Sequence, residues 1–307
     1  MQLIRGIHNI PKQQIGCVLT IGNFDGVHLG HQAVLNQVKA QAARLAVPAT
    51  VMTFEPQPHE LFAPQQAPAR LTNLREKHLA LRRYGLDRHI IIEFNRNIAS
   101  YPARAFVEQV LVAQLGVKYL VVGDDFRFGR DRAGDFQLLQ QMGALHGFTV
   151  VDTQSYRQQQ QRVSSTAIRA ALSNADFALA EAMLGRPYSF QGRVIHGQKK
   201  GRTIGFPTAN IALKRLQSPL QGVFAVHVRH ADALYHGVAN IGRRPTLNGE
   251  LVQLEVHIFN FTGDLYAEQL EVTPRAFIRA EQKFADFNAL QRQIIADAEL
   301  AQSLLSR

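Results

Sequence analysis

The chain has 307 residues, 46% hydrophobic and 19% charged, a composition that supports packed cores and a length that suits two domains. One cysteine, Cys17, excludes an internal disulfide framework and a cysteine-built metal site, and no apolar run approaches the roughly 20 residues of a membrane span. The net charge of +10 is spread evenly, with 19 Lys and Arg against 14 Asp and Glu up to Gly185 and 15 against 10 beyond it, so each part carries +5. With no basic tail and no block of like charges, nucleic acid is not an expected partner, whereas two polyphosphate-handling sites fit such a bias. Met1–Pro11 carries Arg5 and His8 among scattered apolar residues and has no leader-like stretch. A soluble, cytoplasmic protein is expected.

In chain order, Cys17–Gly22, Ala49–Phe54, Ile90–Phe94 and Tyr119–Gly123 are short runs rich in β-branched and aromatic residues. Amphipathic stretches lie among them. In His31–Ala46, Val34, Leu35, Val38, Ala42 and Leu45 recur at helical spacing and Pro48 follows; Ala103–Leu115 and Phe136–His146 read similarly. Strands alternating with helices predict a mostly parallel sheet covered on both faces, with ligands beyond the carboxyl ends of its strands. Cys17 reads as a buried structural thiol within the first strand.

Past Gly185-Arg186-Pro187, a connector, the rhythm changes. Short alternating runs follow at Ser189–Ile195, Val223–Arg229, Leu234–Ile241, Val252–Phe259 and Gln269–Val272, which predicts an antiparallel barrel or sandwich. A final helix, Phe287 to Leu305, carries an apolar stripe for packing. Gln158–Gln161 reads as a solvated loop. The expected division is 1–185 and 186–307.

The run Gly22-Asn23-Phe24-Asp25-Gly26-Val27-His28-Leu29-Gly30-His31 joins the first predicted strand to the first long helix. Gly26 and Gly30 permit close backbone approach, and the helix start offers free amides to an anion. His28 and His31 can donate to phosphate oxygens; a metal pair would need a third ligand cluster, which is missing. This run resembles the His-x-Gly-His signature of nucleotidylyltransferases, in the form typical of bacterial bifunctional riboflavin kinase/FAD synthetases. The resemblance continues in order through Thr53-Phe54-Glu55-Pro56, Gly123-Asp124-Asp125-Phe126-Arg127-Phe128-Gly129 and Ser164-Ser165-Thr166-Ala167-Ile168-Arg169. It implies a Rossmann-like domain in which the FMN phosphate attacks the α-phosphorus of ATP, with Mg²⁺ sharing the charge. It implies that Ser164, Ser165 and Thr166, with Arg169, grip the ATP phosphates; alone, the three hydroxyls read equally as a helix cap. Asp124, Asp125, Phe126, Arg127 and Gly129 inherit nucleotide and flavin contacts, and read alone as a surface turn. Phe54 and Pro56 inherit a wall for the isoalloxazine, although Phe54 reads equally as core.

The second half holds Gly192-Arg193-Val194-Ile195-His196-Gly197-Gln198-Lys199-Lys200-Gly201-Arg202-Thr203-Ile204-Gly205, glycine-rich and basic but without the Walker spacing. Gly205-Phe206-Pro207-Thr208-Ala209-Asn210 then resembles the Gly-Phe-Pro-Thr-Ala-Asn motif of riboflavin kinases, a small β-barrel family. By that resemblance Thr208 and Asn210 bind the nucleotide's Mg²⁺, through neutral oxygens and substrate phosphates. Gly192, His196, Gly197, Gly201, Arg202, Gly205 and Pro207 belong to the same nucleotide and flavin site. Leu254-Glu255-Val256-His257 places Glu255 at the family's catalytic glutamate, base to the riboflavin 5′-hydroxyl; without the resemblance it reads as an outward strand carboxylate. Arg279, ahead of Glu281-Gln282-Lys283-Phe284, matches a segment that closes over the flavin. Two departures stand out: Ala267 where the family has Gly after Leu-Tyr, and Pro274-Arg275 where it has Phe-Val.

The expected function is ATP-dependent conversion of riboflavin to FMN and of FMN to FAD. One active head alone, or a basic nucleic-acid-binding protein with an oligonucleotide-binding-like barrel, are the alternatives. The second would need exposed aromatics interleaved along a basic groove.

Overall fold

The computed structural model describes residues 1–11, 15–153, 157–158, 161–196, 206–246 and 249–306. Two compact units emerge, one of Met1–Pro68 with Lys77–Ser164 and the other of Ala69–Glu76 with Ser165–Arg307.

The first unit is built on a six-stranded sheet in the order β1-β4-β3-β2-β5-β6. The strands are β1 Gln2–Arg5, β2 Cys17–Ile21, β3 Ala49–Glu55, β4 Arg88–Glu93, β5 Val117–Val122 and β6 Thr149–Asp152, and every pairing is parallel. Helices α1 Leu29–Leu45, α2 Pro58–Phe62, α3 Leu74–Arg83, α4 Arg96–Ala99, α5 Ala103–Ala105 and α6 Phe136–His146 occur along the chain from β2 to β6. Buried alternation explains the two-sided cover. Cys17, Leu19 and Ile21 of β2 join Met52, Phe106, Leu111 and Leu139 in one core, while Val18 joins Leu35, Val38, Val51 and Leu81 in another. The predicted helix 103–115 is not uniform. After α5 it widens to π-type hydrogen bonding over Phe106–Gln114, with Leu115 N donating to Val110 O at 3.0 Å. A minimal hairpin, β7 Arg157–Gln158 with β8 Gln161–Arg162, overlaps the predicted loop.

The second unit holds α7 Ser165–Ser173 and α8 Phe177–Leu184, the latter stopped by Gly185 in the left-handed conformation at φ 71°. A closed antiparallel barrel follows in the order β10-β13-β12-β11-β14-β9. Its strands are β9 Phe190–Ile195, β10 Ala209–Ala212, β11 Gly222–His230, β12 Ala233–Thr246, β13 Gly249–Ile258 and β14 Gln269–Arg279. Phe190, Val194, Ile211, Phe224, Val226, Ala239, Ile241, Leu254, Val256 and Val272 are buried, and their register pairs place them on the inner face. Outside, Val223, Ala225, Val238 and Phe259 pack against Ala298 and Ala301 of α9 Phe287–Leu305. The parallel-sheet and antiparallel-barrel expectations, and the terminal helix, are all met.

Pro274 sits within β14 without breaking it. The β9 ladder ends at Val272, and Pro274 faces Val226 where the β11 register shifts, so the missing N–H falls at an irregularity. Segment Ala69–Glu76 joins this unit through Arg215, whose Nη2 lies 2.6 Å from Glu76 Oε2 and whose Nη1 donates to Tyr188 Oη at 2.9 Å and to Arg70 O at 3.0 Å. Both members of the ion pair are buried.

Candidate active sites of the two units

In the sheet unit, β2 is wholly buried and delivers the chain to Gly22 at the carboxyl edge. There Phe24, Gly26 and Val27 take positive φ of 47°, 84° and 44°, a conformation that a β-branched Val rarely tolerates. The turn is so tight that Phe24 through His28 are all buried. Backbone strain of this kind collects where side chains must be held for function.

His28 caps α1: its Nδ1 accepts from His31 N at 3.3 Å, so its proton resides on Nε2. The His28 and His31 rings stack 3.6 Å apart and Phe24 lies 4.9 Å from His31. Burial above all, then the neighbouring His28 and Lys77, hold the His31 pKa well below its usual value, so His31 is a neutral imidazole near pH 7. Its Nδ1 is buried and has no hydrogen-bond partner among the described residues. Gly30 makes room for this stack, because a Cβ there would stand 3.2 Å from the His28 ring and 3.4 Å from the Val163 carbonyl. The result is a pair of stacked imidazoles at a helix N-terminus, His31 neutral among them, suited to phosphate oxygens that gain charge.

At the end of the neighbouring β3, Phe54 meets Phe94 edge-on at 5.6 Å, and Phe94 meets Phe62 at 5.9 Å. Phe54 also packs on the core, which bears out the core reading of it. Pro56 follows in a cis peptide with Glu55, and Gln57 caps α2 with Glu60. At the end of β5, Asp124, Asp125 and Arg127 are exposed while Phe126 is partly buried and stacks on Phe128 at 5.6 Å. Gly129, at φ 71°, passes Ala103 so closely that a Cβ would come within 2.8 Å of its backbone nitrogen. Since β3, β2 and β5 are adjacent in the sheet, these three loops share one edge. Ser164 closes this unit; Ser165, Thr166 and Arg169 belong to α7 in the other, where Arg169 Nε donates to Ala69 O at 2.6 Å.

On the barrel, register pairs Asn210 of β10 with Glu255 of β13, and Glu255 with Asn240 of β12. These three side chains therefore share the outer face in one row, with Glu255 half-buried. Gln253 Nε2 donates to Asn210 Oδ1 at 2.8 Å, and Asn210 Nδ2 to Thr208 O at 3.3 Å. Pro207 O lies 2.9 Å from His257 Nδ1. Gly192 in β9 faces Ile211 so closely that a side chain would collide with it, and His196 packs on Tyr266 at 4.1 Å. Gly197, Gly201, Arg202 and Gly205 lie outside the described residues. Arg279 gives its guanidinium to Asp297 of α9, Nη2 to Oδ2 at 2.7 Å.

Among the described residues no group of three His, Cys, Asp or Glu could hold a metal. The exposed Thr208 hydroxyl and the Asn210 carbonyl oxygen, with a lone pair beyond its Gln253 bond, form a neutral oxygen set. That donor chemistry fits Mg²⁺ completed by phosphate oxygens. Sequence reasoning missed Phe62, Lys77, Phe94 and Asp297, and it gave no role of its own to Glu281, which it held only within the closing segment. Lys77 left no signal, since it stands among Arg75, Glu76 and His78 in a polar helix, yet it is fully buried.

A family model described as FAD synthetase matches residues 10–167 and one described as riboflavin kinase matches residues 184–305. A Haemophilus influenzae protein named bifunctional riboflavin kinase/FMN adenylyltransferase is 50% identical over all of both chains. Relatives of that name are 50% identical in Escherichia coli, covering 97% of this chain and 96% of theirs, and in Pseudomonas fluorescens, covering 99% and 98%. The crystal structure of a macrolide-efflux protein from Streptococcus pneumoniae superposes with a TM-score of 0.77 at 29% identity, covering 98% of this chain and 99% of that one. Among the described residues no helix is long and apolar enough to cross a membrane.

Proposed function

Because the chain belongs to the family of bifunctional riboflavin kinase/FMN adenylyltransferases, we propose how its two heads divide the residues of a riboflavin-to-FMN-to-FAD sequence. The two activities themselves follow from the family; their assignment to side chains is our reading. The kinase head is placed in 186–307 and the adenylyltransferase head in 1–185, with ATP as the donor to both and the cytoplasm as the location.

In the kinase, Glu255 takes the proton of the riboflavin 5′-hydroxyl as that oxygen bonds the γ-phosphorus and ADP departs. Thr208 and Asn210 hold Mg²⁺, which when bound neutralises phosphate charge. Gly192, His196, Gly197, Gly201, Arg202, Gly205 and Pro207 serve the nucleotide and the flavin. In the adenylyltransferase an FMN phosphate oxygen bonds the α-phosphorus of ATP while the bond to pyrophosphate breaks, and no covalent enzyme intermediate is needed. His28 and His31 donate to the phosphate oxygens. Gly22, Phe24, Asp25, Gly26 and Gly30 shape their cradle, and Phe54, Pro56 and the Asp124–Gly129 loop serve flavin and nucleotide. Ser164, Ser165, Thr166 and Arg169 serve the phosphates.

The observation that carries the reading is the pair of unlike constellations: stacked histidines at a helix start, and a carboxylate flanked by carboxamides on a barrel wall. Incubation with riboflavin, ATP and Mg²⁺ should yield FMN and then FAD on chromatography, and ATP with supplied FMN should yield FAD and pyrophosphate. Absence of either product removes the corresponding head.

A further inference from the structure

β14 leaves the barrel at Arg279, and each of its guanidinium nitrogens is engaged there. Nε lies 3.0 Å from both Asp297 oxygens, Nη2 lies 2.7 Å from Oδ2, and Nη1 donates to the carbonyl of Ala280 at 2.9 Å. Gln293 Nε2 donates to the same carboxylate at 2.9 Å, and the Phe284 ring lies 5.6 Å from the guanidinium carbon. Asp297 is buried. A bidentate, charge-assisted pair of this geometry has directional strength, so α9 fixes the path of the chain just beyond Arg279.

Two residues on, that path brings Glu281 to the catalytic row. Asn240 Nδ2 donates to Glu281 Oε1 at 3.0 Å, and Asn240 is the direct cross-strand neighbour of Glu255. The contact also fixes the amide's orientation, since the reverse would set the Asn240 oxygen against a carboxylate. Asn240 Oδ1 is buried and has no hydrogen-bond partner among the described residues. The Glu281 carboxylate lies over the bare Cα of Gly242, where any Cβ would collide with it. Glu281 itself is exposed, so its remaining lone pairs are open to a ligand.

We propose that Glu281 is a substrate-positioning residue of the kinase head, accepting hydroxyls of the ribityl chain of riboflavin beside Glu255. The proposal rests on the kinase reading above. A carboxylate repels the phosphates of ATP but is a natural acceptor for a polyhydroxyl chain. Its place one strand from Glu255 suits hydroxyls inward of the reacting one. The Arg279–Asp297 clamp and the missing side chain at position 242 both serve to put it there.

The test compares Glu281→Ala, Glu281→Gln and Gly242→Ala in the full chain, with riboflavin and ATP varied separately. Losing a hydrogen bond to a charged acceptor should raise the riboflavin KM by about tenfold or more in Glu281→Ala, with kcat changed far less. Gly242→Ala displaces the carboxylate without removing it and should reproduce that rise, and the double variant should be no worse than either single one. Glu281→Gln should fall between. The ATP KM and FAD formation from supplied FMN should stay unchanged in all of them. An unchanged riboflavin KM in Glu281→Ala, or an equal rise in both KM values, overturns the proposal. If Gly242→Ala does not fold, the two Glu281 variants decide alone. Should Glu255→Gln retain full kinase turnover, the kinase reading itself fails; should it collapse while Glu281→Ala keeps its KM, only this inference fails.

Discussion

At the sheet edge two imidazoles stack 3.6 Å apart at a helix start, whereas on the barrel wall a carboxylate stands between two carboxamides. On the proposed assignment, the chemistry of the nucleophiles would account for the difference. An FMN phosphate is already anionic, so its attack needs donors that neutralise growing charge and no base. A ribityl hydroxyl must lose its proton, so its site needs an acceptor. The sheet unit buries neutral histidines: Thr53 Oγ1 lies 2.9 Å from His89 Nε2, and His89 Nδ1 lies 3.1 Å from His78 Nδ1. The barrel unit pairs its charges, Arg215 with Glu76, both buried, and the partly exposed Arg279 with buried Asp297.

The contrast breaks first at the reacting groups. Glu255→Gln should lower riboflavin phosphorylation by about 10²–10⁴-fold while FAD formation from supplied FMN persists. His28→Ala should lower FAD formation by about 10²–10³-fold and leave FMN formation intact. Steady-state rates with each substrate supplied alone check both, and equal losses in both reactions would indicate a folding defect instead.

Next comes the buried pair. Glu76→Gln strips Arg215 of its carboxylate in a site with no solvent, which should destabilise the barrel unit by about 3–5 kcal/mol. Replacing both partners, Glu76→Leu with Arg215→Met, should recover only part of that loss, because the Asn73 and Gln191 amides that Glu76 also accepts stay unpaired. Urea unfolding followed through kinase activity reads the difference. A fragment that begins at Gly185 lacks Glu76 and should show the same weakness, relieved by Arg215→Met.

The neutral histidines give a smaller, pH-dependent effect. Burial, aided by the nearby His78 and Lys77, pushes His89 down to about 3. The unfolded chain therefore takes up a proton below its ordinary value near 6.5 while the folded chain does not. Stability from this group is complete above pH 6.5 and is lost as pH falls toward 3, amounting to about 2 kcal/mol by pH 5 with His89 at about 3. His31 shifts in the same direction and adds to the loss. The thermal midpoint of the sheet unit, measured between pH 7 and pH 5, should fall less in His89→Gln than in the parent chain. Parallel slopes would contradict this. Smallest is Ala267, held at φ 64° where the family carries Gly. Ala267→Gly should relieve about 1 kcal/mol of left-handed strain, offset in part by added freedom in the unfolded chain, and an equilibrium unfolding midpoint that drops would reverse that sign.

Elements with their own hydrophobic rhythm were legible in the sequence. β2 through β5 and β11 through β14 carry enough buried residues to declare themselves. β1 and β6 are four-residue edge strands, largely unburied, and β10 is four residues after a proline, so no run marks them. Within the sites, the His28–His31 stack was legible because its residues are sequence neighbours. The Glu281–Asn240 contact was not, because it depends on barrel register and on a turn fixed by Asp297. That residue lies in a helix whose sequence advertises only its apolar stripe.

Mixing two disabled proteins tests most directly that one chain carries two independent sites. Glu255→Gln with riboflavin and ATP should make neither FMN nor FAD, and His28→Ala should stop at FMN. Combined in one reaction, the two should restore FAD formation from riboflavin, because FMN released by one is adenylylated by the other. If the mixture yields FMN alone although Glu255→Gln still converts supplied FMN, the heads do not work as separate sites and the account is contradicted.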